Sequence, residues 1–325
     1  MKKAVIALLI FCYFFGSSLQ CVLCQIAQPK LFAPGVISTE FMETSATFTP
    51  DEKTVYFTRS DFQFSDNTIL ESHFAGGKWK EPEVASFSGE WRDSEPHVAP
   101  NGTKLFFVSN RPVKAGGKPL VANFGGRSFP GANIWYVEKK GNDWGEPIHI
   151  EGAVNAVPSV YNPSVAKNGT LYFSGVLPDG EGKNQIYRSV LKNGEYGAPE
   201  RLSFSDTKYN HIDPSIAPDE SFIVFSANRP GGLGASADVH ICFQTDGKWG
   251  EPVNLGTSVN SSFLENAPSL APDGKTLYFT SMRPKVITFP KLKENKKLVL
   301  KRLREAENGS RNIWEIDLSD WINRR

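Results

Sequence analysis

Cysteine is scarce in this chain of 325 residues, which has four. Cys12 lies in an apolar stretch at the start of the chain, Cys21 and Cys24 lie just after it, and Cys242 stands alone in the run V-H-I-C-F. We therefore expect a fold stabilised by a large apolar core rather than by disulfides. Cys242 fits a small buried hydrophobic residue better than a reactive thiol.

An excess of charge of either sign is also missing. Lys and Arg total 36 and Asp and Glu total 35, which gives a net charge of +1. Attraction to phosphates needs a concentrated basic surface, so the composition argues against a nucleic-acid-binding protein. The 23 Phe and 28 Gly, in a chain with 40% hydrophobic residues, favour a globular protein rich in β structure.

Long apolar runs are missing beyond the first residues. Two lysines precede an apolar run over residues 4–15, and small residues follow it, which is the layout of a secretory signal. The run is too short to span a membrane. We expect a signal peptide and cleavage region at residues 1–27, with cleavage after Ser18 or after Ala27.

Because a signal peptide indicates export, we expect a protein of the periplasm or of the outer-membrane surface, with no transmembrane span in the mature chain. A lipid anchor at Cys21 or Cys24 is the alternative. We do not favour it, because the residues before each cysteine are not the small ones that usually precede a lipidated cysteine.

Familiar enzyme motifs are absent as well. The sequence has no G-x-S-x-G, no H-E-x-x-H and no glycine loop of the Walker type. Its five histidines are scattered. His97 and His211, beside Glu95 and Asp213, are weak candidates for a metal site, but a hydrogen-bonded structural role suits them better. We expect no metal and no cofactor.

The chain does contain one phrase that occurs five times. Residues 268–284 read P-S-L-A-P-D-G-K-T-L-Y-F-T-S-M-R-P, and the five copies turn at Pro50, Pro100, Lys167, Pro218 and Pro272. The spacings of 50, 67, 51 and 54 residues indicate propeller blades or solenoid units. Each phrase is typical of a tight hairpin, and most copies add a second hairpin, so that four strands make one blade.

The copies resemble the WD40-like repeats of TolB-like β-propellers, whose blades carry this Pro-Asp-Gly turn and an S-x-R-P ending. The resemblance extends over almost all of residues 29–321. TolB-like proteins are periplasmic and bind other envelope proteins, so the resemblance implies an envelope binding module. From the extent of the repeats in this sequence, we expect neither the additional N-terminal domain of TolB itself nor the hydrolase domain of prolyl oligopeptidase-like relatives.

The two ends of the repeat region complement each other. The last copy has no fourth strand of the W-x-E-P type, whereas P-K-L-F-A-P-G-V-I-S from Pro29 matches P-V-N-L-G-T-S-V-N-S from Pro252. We therefore predict an all-β fold, a propeller of five four-stranded blades closed by the N-terminal strand, with six blades as the alternative. Closure hides strand edges that would otherwise promote aggregation. The domain is expected to comprise residues 28–325.

Two copies carry insertions between their second and third strands, at residues 113–132 and 285–311. The second insertion has nine Lys or Arg against three Glu. Apolar residues recur in it at helical spacing: Leu292, Val299, Leu303 and Ala306. This predicts a basic amphipathic helix, either a solvated face packed on the rim or a docking site for an acidic ligand or partner.

In a propeller, the residues that begin the first strand and end the second strand of every blade meet around one mouth. The first set is Glu43, Asp93, Glu95, Asn162, His211, Asp213 and Glu265, and the second is Arg59, Arg111, Arg229 and Arg283, with Gly175 breaking the pattern. Arginine forks suit carboxylates or phosphates. Because these arginines belong to the repeat itself, we favour a structural pairing of each with an acid on a neighbouring blade.

Function is then expected where the copies differ. The insertions flank blade one in a closed ring, and insertions on one face often mark the binding face. The loop S-D-F-Q-F-S-D-N of blade one offers rings and carboxylates for a sugar or a peptide. The predicted ligand-binding residues are Arg59, Asp61, Phe62, Phe64, Asp93, Arg111 and Arg283.

A glycosidase is the enzymatic alternative, because two carboxyl groups at a suitable separation cleave glycosidic bonds. The pair would be Asp93 with Glu265 or Asp213. Nearby arginines would keep these groups ionised and hinder a general acid. We therefore expect a monomeric exported module that binds an envelope protein or a glycan, rather than an enzyme.

Overall fold

Antiparallel sheets of four or five strands, arranged in a ring, form the body of the protein. This computed structural model describes residues 27–124, 126–234 and 236–323. Residues 1–26 of the predicted signal peptide and cleavage region lie outside the described residues, with the cleavage position after Ser18 and the cysteines Cys12, Cys21 and Cys24.

The chain runs through the sheets, here called blades, in sequence order. It begins with β1 (Lys30–Leu31). Blade 1 contains β2 (Met42–Phe48), β3 (Thr54–Ser60), β4 (Asn67–Ala75), β5 (Lys78–Trp79) and β6 (Glu83–Val84). Blade 2 contains β7 (Asp93–Val98), β8 (Lys104–Ser109), the inserted hairpin β9 (Val121–Phe124) and β10 (Arg127–Pro130), then β11 (Asn133–Lys140), β12 (Asp143–Trp144) and β13 (Ile148–His149).

The remaining blades follow the same order. Blade 3 contains β14 (Val160–Val165), β15 (Leu171–Gly175), β16 (Gln185–Ser189), a separate hairpin of β17 (Leu191–Lys192) and β18 (Glu195–Tyr196), and β19 (Glu200–Arg201). Blade 4 contains β20 (His211–Ile216), β21 (Phe222–Ala227), β22 (Asp238–Thr245), β23 (Lys248–Trp249) and β24 (Val253–Asn254). Blade 5 contains β25 (Glu265–Leu270), β26 (Thr276–Ser281), the helix α1 (Lys296–Leu303) and β27 (Asn312–Asp317), and the helix α2 (Ser319–Ile322) ends the described chain.

The repeated phrase forms the turn between the first and second strands of each blade. One turn residue in every copy has a positive φ, and the five are Glu52, Gly102, Gly169, Glu220 and Gly274. Its amide donates to the carbonyl three residues earlier, for example from Gly274 to Ala271 at 2.9 Å. Glycine meets this left-handed geometry at low cost, which explains why P-D-G and N-G sequences recur at the turns.

Five blades close into a ring, as predicted, and the alternative of six blades is wrong. The first strands contact one another in the order β2, β7, β14, β20 and β25, and β25 contacts β2. Five buried apolar clusters fill the five spaces between successive blades. Burial on both faces of each sheet accounts for the strongly apolar second strands, such as F-I-V-F in β21.

The N-terminal segment supplies the missing strand of blade 5. Strand β1 pairs with β27, with Lys30 opposite Glu315 and Leu31 opposite Trp314. The buried ring of Phe32 then packs between the last blade and the first, against Phe48, Trp79 and Tyr278 at centroid distances of 5.7, 5.6 and 5.0 Å. The ends of the repeat region therefore share one sheet.

Both insertions lie on one face of the ring, where the first strands begin and the second strands end. We call this the mouth face, and its loops between second and third strands include residues 61–66, 176–184 and 282–311. The helix of the second insertion, α1, begins after Asn295, whose side chain accepts a hydrogen bond from the amide of Leu298 at 3.0 Å. Within the described residues, no helix has the length and apolar character needed to cross a bilayer.

Candidate functional site

A β-bulge interrupts the first strand of every blade. In every blade the register of the first strand against the second shifts part-way along the strand, for example between Ser94 and His97 in β7. The shift places one residue per blade in the left-handed region, at φ values between 47° and 57°: Ser45, Glu95, Asn162, Asp213 and Ala267. Such strain in non-glycine residues concentrates at functional sites.

These five bulge residues line the channel together. Above them, on the mouth face, opens a cavity of about 240 Å³, which we call the mouth cavity. Its wall consists mainly of polar side chains with two aromatic rings: Thr44, Thr58, Phe64, Asn67, Arg92, Asn110, Tyr161, Asn266 and Arg311. The five bulge residues, which we call the bulge ring, therefore form the floor of the mouth cavity, and only Glu95 and Asp213 among them have ionisable side chains.

Each of the two acids bridges to the next blade. Glu95 accepts a hydrogen bond from the amide of Asn162 at 2.7 Å, and Asp213 accepts one from the amide of Ala267 at 2.9 Å. Burial, with the nearby charge of Asp213, raises the pKa of Glu95 to about 8. Burial also raises the pKa of Asp213. At neutral pH the Glu95 carboxyl group therefore carries a proton and can donate a hydrogen bond into the cavity.

Two guanidinium groups face these acids across the cavity. Arg92 comes from the segment between blades 1 and 2 and donates to the carbonyl of Phe64. Arg311 ends the second insertion, and its guanidinium carbon lies 4.5 Å from the centroid of the Phe64 ring. Burial lowers the pKa of Arg311, although the charge of Asp213 opposes this effect.

Four described residues of the mouth-cavity wall each carry a buried polar atom without a hydrogen-bond partner. Among the described residues, four atoms that belong to residues of its wall are buried and have no hydrogen-bond partner: Arg92 Nε, Arg311 Nε, Asn67 Oδ1 and Asn266 Oδ1. Buried polar groups are nearly always hydrogen-bonded, and an unpaired one carries a desolvation penalty of about 1–3 kcal/mol. Two unpaired donors and two unpaired acceptors on the residues of one cavity wall therefore indicate a site for a ligand that both accepts and donates hydrogen bonds.

The predicted arginine ring lies beside this cavity and is engaged within the fold. Three of its arginines pair with a buried acid: Arg59 with Glu43 at 3.1 Å, Arg111 with Asp93 at 2.8 Å and Arg283 with Glu265 at 3.2 Å. The acid is on the same blade, not on a neighbouring blade as we expected. Antiparallel pairing explains this, because the start of the first strand lies opposite the end of the second.

The same arginines do join successive blades, but through backbone carbonyls. Arg111 donates to the carbonyl of Phe87 at 3.1 Å, in the segment that enters blade 2. Arg283 donates to the carbonyl of Val259, and Arg229 donates to that of Phe204 at 3.4 Å. In blade 4 a histidine replaces the acid of the pair, and its partner Arg229 lies 3.1 Å from its Nε2 atom.

The structure separates the predicted ligand-binding residues. Phe64 lines the mouth cavity, whereas Asp61 and Phe62 are exposed on the loop outside it. Arg59, Asp93, Arg111 and Arg283 belong to the buried pairs described above. Of the predicted catalytic set, Asp213 lines the cavity, but Asp93 and Glu265 are buried against their arginines.

The two histidines considered as metal ligands lie inside the fold. His97 accepts a hydrogen bond at Nε2 from the amide of Val165, at 2.9 Å, and burial lowers its pKa to about 4. Burial and the charge of Arg229 lower the pKa of His211 to about 4. Both imidazoles are therefore neutral at pH 7, and the described residues contain no group of three potential metal ligands.

Sequence reasoning placed Glu95, Asn162 and Asp213 at the mouth but did not identify the bulge ring as a unit. The signal was a column of prolines, because Pro96, Pro163, Pro214 and Pro268 follow the bulge residue in four blades. Aligning the copies on these prolines brings the ring into one column. Nothing in the sequence identified three further residues of the cavity wall, because they do not belong to the repeated mouth positions: Arg92, Tyr161 and Arg311.

A larger recess lies elsewhere, between blades 2 and 3 on the opposite face. It measures about 660 Å³ and is lined by rings and aliphatic side chains that include Phe106, Tyr136 and Tyr196. In blade 2 the outer hairpin carries a tryptophan that packs on the preceding blade, Trp144 on Tyr56, whereas blade 3 has Tyr196 at that place. The smaller Tyr196 ring leaves room for the recess, whose lining also includes the charged residues Lys104, Glu151, Lys167 and Glu195.

The comparisons with known proteins agree with this fold. No protein-family profile and no curated protein sequence matches the chain. Among solved structures, the α-L-arabinofuranosidase of Lactobacillus brevis is 12% identical over 87% of this chain and 92% of its own, with a TM-score of 0.54. A thermostable family-43 glycoside hydrolase is 12% identical over 85% and 89%, with a TM-score of 0.52. A protein assigned as TolB from Agrobacterium tumefaciens is 14% identical over 85% and 90%, with a TM-score of 0.47.

Proposed function

We propose that this protein is an exported binding module of the cell envelope, which holds a terminal sugar of a glycan in the mouth cavity. The single observation that carries the proposal is that four described residues of the cavity wall each hold a buried donor or acceptor without a partner: Arg92, Arg311, Asn67 and Asn266. A sugar hydroxyl donates one hydrogen bond and accepts others, so one sugar ring can engage both kinds of atom.

The size and the walls of the cavity also favour a sugar over an extended peptide. A volume of about 240 Å³ is below the usual range for drug-sized ligands and accommodates one small ring. The rings of Phe64 and Tyr161 lie on the wall, where an apolar sugar face can pack. Protonated Glu95 adds a donor at the floor, and Asp213 adds an acceptor.

The test is a panel of pentoses, hexoses, hexuronic acids and N-acetylhexosamines, screened by saturation-transfer NMR against the purified protein. We expect at least one sugar to bind saturably, and Asp213→Asn to weaken the binding of that sugar about tenfold or more, because an amide group that only donates replaces one acceptor oxygen of the carboxyl group. Asp61→Asn, on the same face but outside the cavity, is the matched control and should leave binding unchanged. If no sugar of the panel binds saturably, as monomer or as oligomer, the proposal of a glycan ligand is refuted. Equal loss of sugar binding in the two variants would also refute it.

A second candidate, a glycoside-cleaving enzyme, is favoured by one specific observation. Glu95 and Asp213 line the same cavity, and Glu95 has a pKa raised to about 8, so it keeps a proton that a leaving oxygen needs. Asp213 would be the second carboxyl group. Burial raises the pKa of Asp213, and the nearby charge of Arg311 opposes that rise.

Turnover of aryl glycosides separates the enzyme from the binding module. An enzyme would lose activity as pH rises through about 8, because Glu95 then ionises. Glu95→Gln would lower kcat by a factor of about 10²–10⁴, which is the usual contribution of a general acid. A binding module shows the sugar binding described above with no turnover at any pH.

A further inference from the structure

The second insertion combines positive charge with exposed apolar side chains. The three most exposed large apolar side chains among the described residues are Leu292 at 91%, Val286 at 89% and Phe289 at 72%. All three lie within one short stretch before α1. Large apolar side chains that stand in water in a cluster mark an interaction surface.

The cations of this insertion are only partly neutralised. Lys291 and Arg302 pair with Glu294, and Lys301 pairs with Glu305 at 3.8 Å. Five further exposed cations form no ion pair among the described residues: Lys285, Lys293, Lys296, Lys297 and Arg304. The segment therefore keeps a concentrated positive charge although the whole chain has a net charge of only +1.

The helix α1 presents part of this charge on one side. Lys296, Lys297, Leu300, Lys301 and Arg304 border one shallow recess along the helix, so four cations surround one half-exposed leucine. Leu298 and Leu303 are about half-exposed as well. Apolar side chains with cations beside them, on a short amphipathic element, are the features of a segment that lies in a membrane interface.

We propose that residues 285–311 dock the mouth face onto the surface of an anionic phospholipid bilayer. The side chains of Val286, Phe289 and Leu292 enter the headgroup region, and the unpaired lysines contact lipid phosphates. A folded partner protein would require a complementary shape with a packed centre, whereas a bilayer interface requires only projecting apolar groups beside cations. The charge of the segment is complementary to anionic lipid.

The segment is joined to the candidate site. Asn308 donates to the carbonyl of Glu40 at 3.4 Å, and Asn312 donates to that of Thr39 at 2.8 Å, which fixes its end beside blade 1. Arg311, at the end of the insertion, lines the mouth cavity. Docking would therefore turn the mouth cavity towards the membrane surface. The inference does not depend on the nature of the cavity ligand.

The test is co-sedimentation of the purified protein with vesicles of phosphatidylglycerol and phosphatidylcholine in equal parts, compared with phosphatidylcholine alone. We expect binding to the anionic vesicles and weak or no binding to the neutral ones. The triple variant Val286→Ser, Phe289→Ser, Leu292→Ser should weaken binding at least tenfold. Replacing Lys293, Lys296 and Lys297 with serine should weaken it about a hundredfold at low salt.

The control is the double variant Val84→Ser, Val253→Ser, which changes two exposed apolar side chains on outer strands. It should bind as tightly as the unchanged protein, and all variants should unfold at the same temperature because the substituted side chains are exposed. In a Phe289→Trp variant, the tryptophan emission should shift to the blue on anionic vesicles alone.

Three results would overturn the proposal: equal binding to both kinds of vesicle, unchanged binding of the triple serine variant, or no vesicle binding at all. If the protein binds polyglutamate saturably but no vesicle, the surface takes an acidic protein instead. If the unchanged protein binds anionic vesicles but none of the sugars, the proposed function is refuted and the membrane-docking inference stands.

Discussion

Glu43 and Glu95 show how differently two acids at the mouth can be used. Glu43 is the second residue of β2, pairs with Arg59 and accepts hydrogen bonds from Thr39, so it holds the fold together. Glu95 lies further along its own first strand, where the bulge turns it into the channel. The pattern of the repeat predicted the first role, but the bulge, which creates the second, has no signature in the apolar alternation.

The buried pairs should therefore matter for stability rather than for binding. Arg283→Met leaves the buried carboxylate of Glu265 without its cation, so we expect the free energy of unfolding to fall by about 3–5 kcal/mol. Arg188→Met removes an exposed pair with Glu200 and should cost about 0–1 kcal/mol. Urea unfolding measures both, and equal losses would contradict the structural role.

Glu95 should make stability depend on pH. Its pKa rises from 4.5 in the unfolded chain to about 8 in the fold, so between these values the folded protein binds the additional proton. The free energy of unfolding should fall as pH rises through this window, by at most about 1.4 kcal/mol per pH unit, and the contribution is fully present below pH 4.5. Glu95→Gln should flatten the profile, whereas parallel profiles for the two proteins would disprove the raised pKa.

At the scale of elements, the hairpins were predictable because turn chemistry recurs at fixed spacing. The match between the segments from Pro29 and Pro252 predicted the closing strand, and β1 and β24 do occupy equivalent places in their blades. The helix α1 is shorter than the apolar spacing from Leu292 to Ala306 indicated. It begins after Asn295, whose side chain caps it, so Leu292 remains in the exposed stretch before it.

The closing segment should contribute strongly to stability. Phe32→Ala removes a buried ring that contacts Phe48, Trp79 and Tyr278, and we expect a loss of about 3–5 kcal/mol in the free energy of unfolding. Phe62→Ala, at an exposed loop position, should change it by less than about 0.5 kcal/mol. Thermal or urea unfolding measures both losses. A small effect of Phe32→Ala would mean that the stability of the propeller does not depend on its N-terminal segment.

At the scale of the whole molecule, closure explains why the candidate site exists. Each blade contributes one bulge residue, and only a closed ring brings Glu95 of blade 2 and Asp213 of blade 4 to the floor of one cavity. Sequence alone indicated five blades and a polar mouth. It did not indicate which polar residues meet, because Arg92 and Arg311 reach the cavity from segments outside the repeated strands.

The most direct test is a crystal structure of the protein with the sugar that binds most tightly in the panel. We predict that the sugar lies in the mouth cavity above the bulge ring, within hydrogen-bond distance of Arg92 or Arg311 and of Asn67 or Asn266. A sugar found only in the recess between blades 2 and 3, or only on the outer strands, would contradict the account.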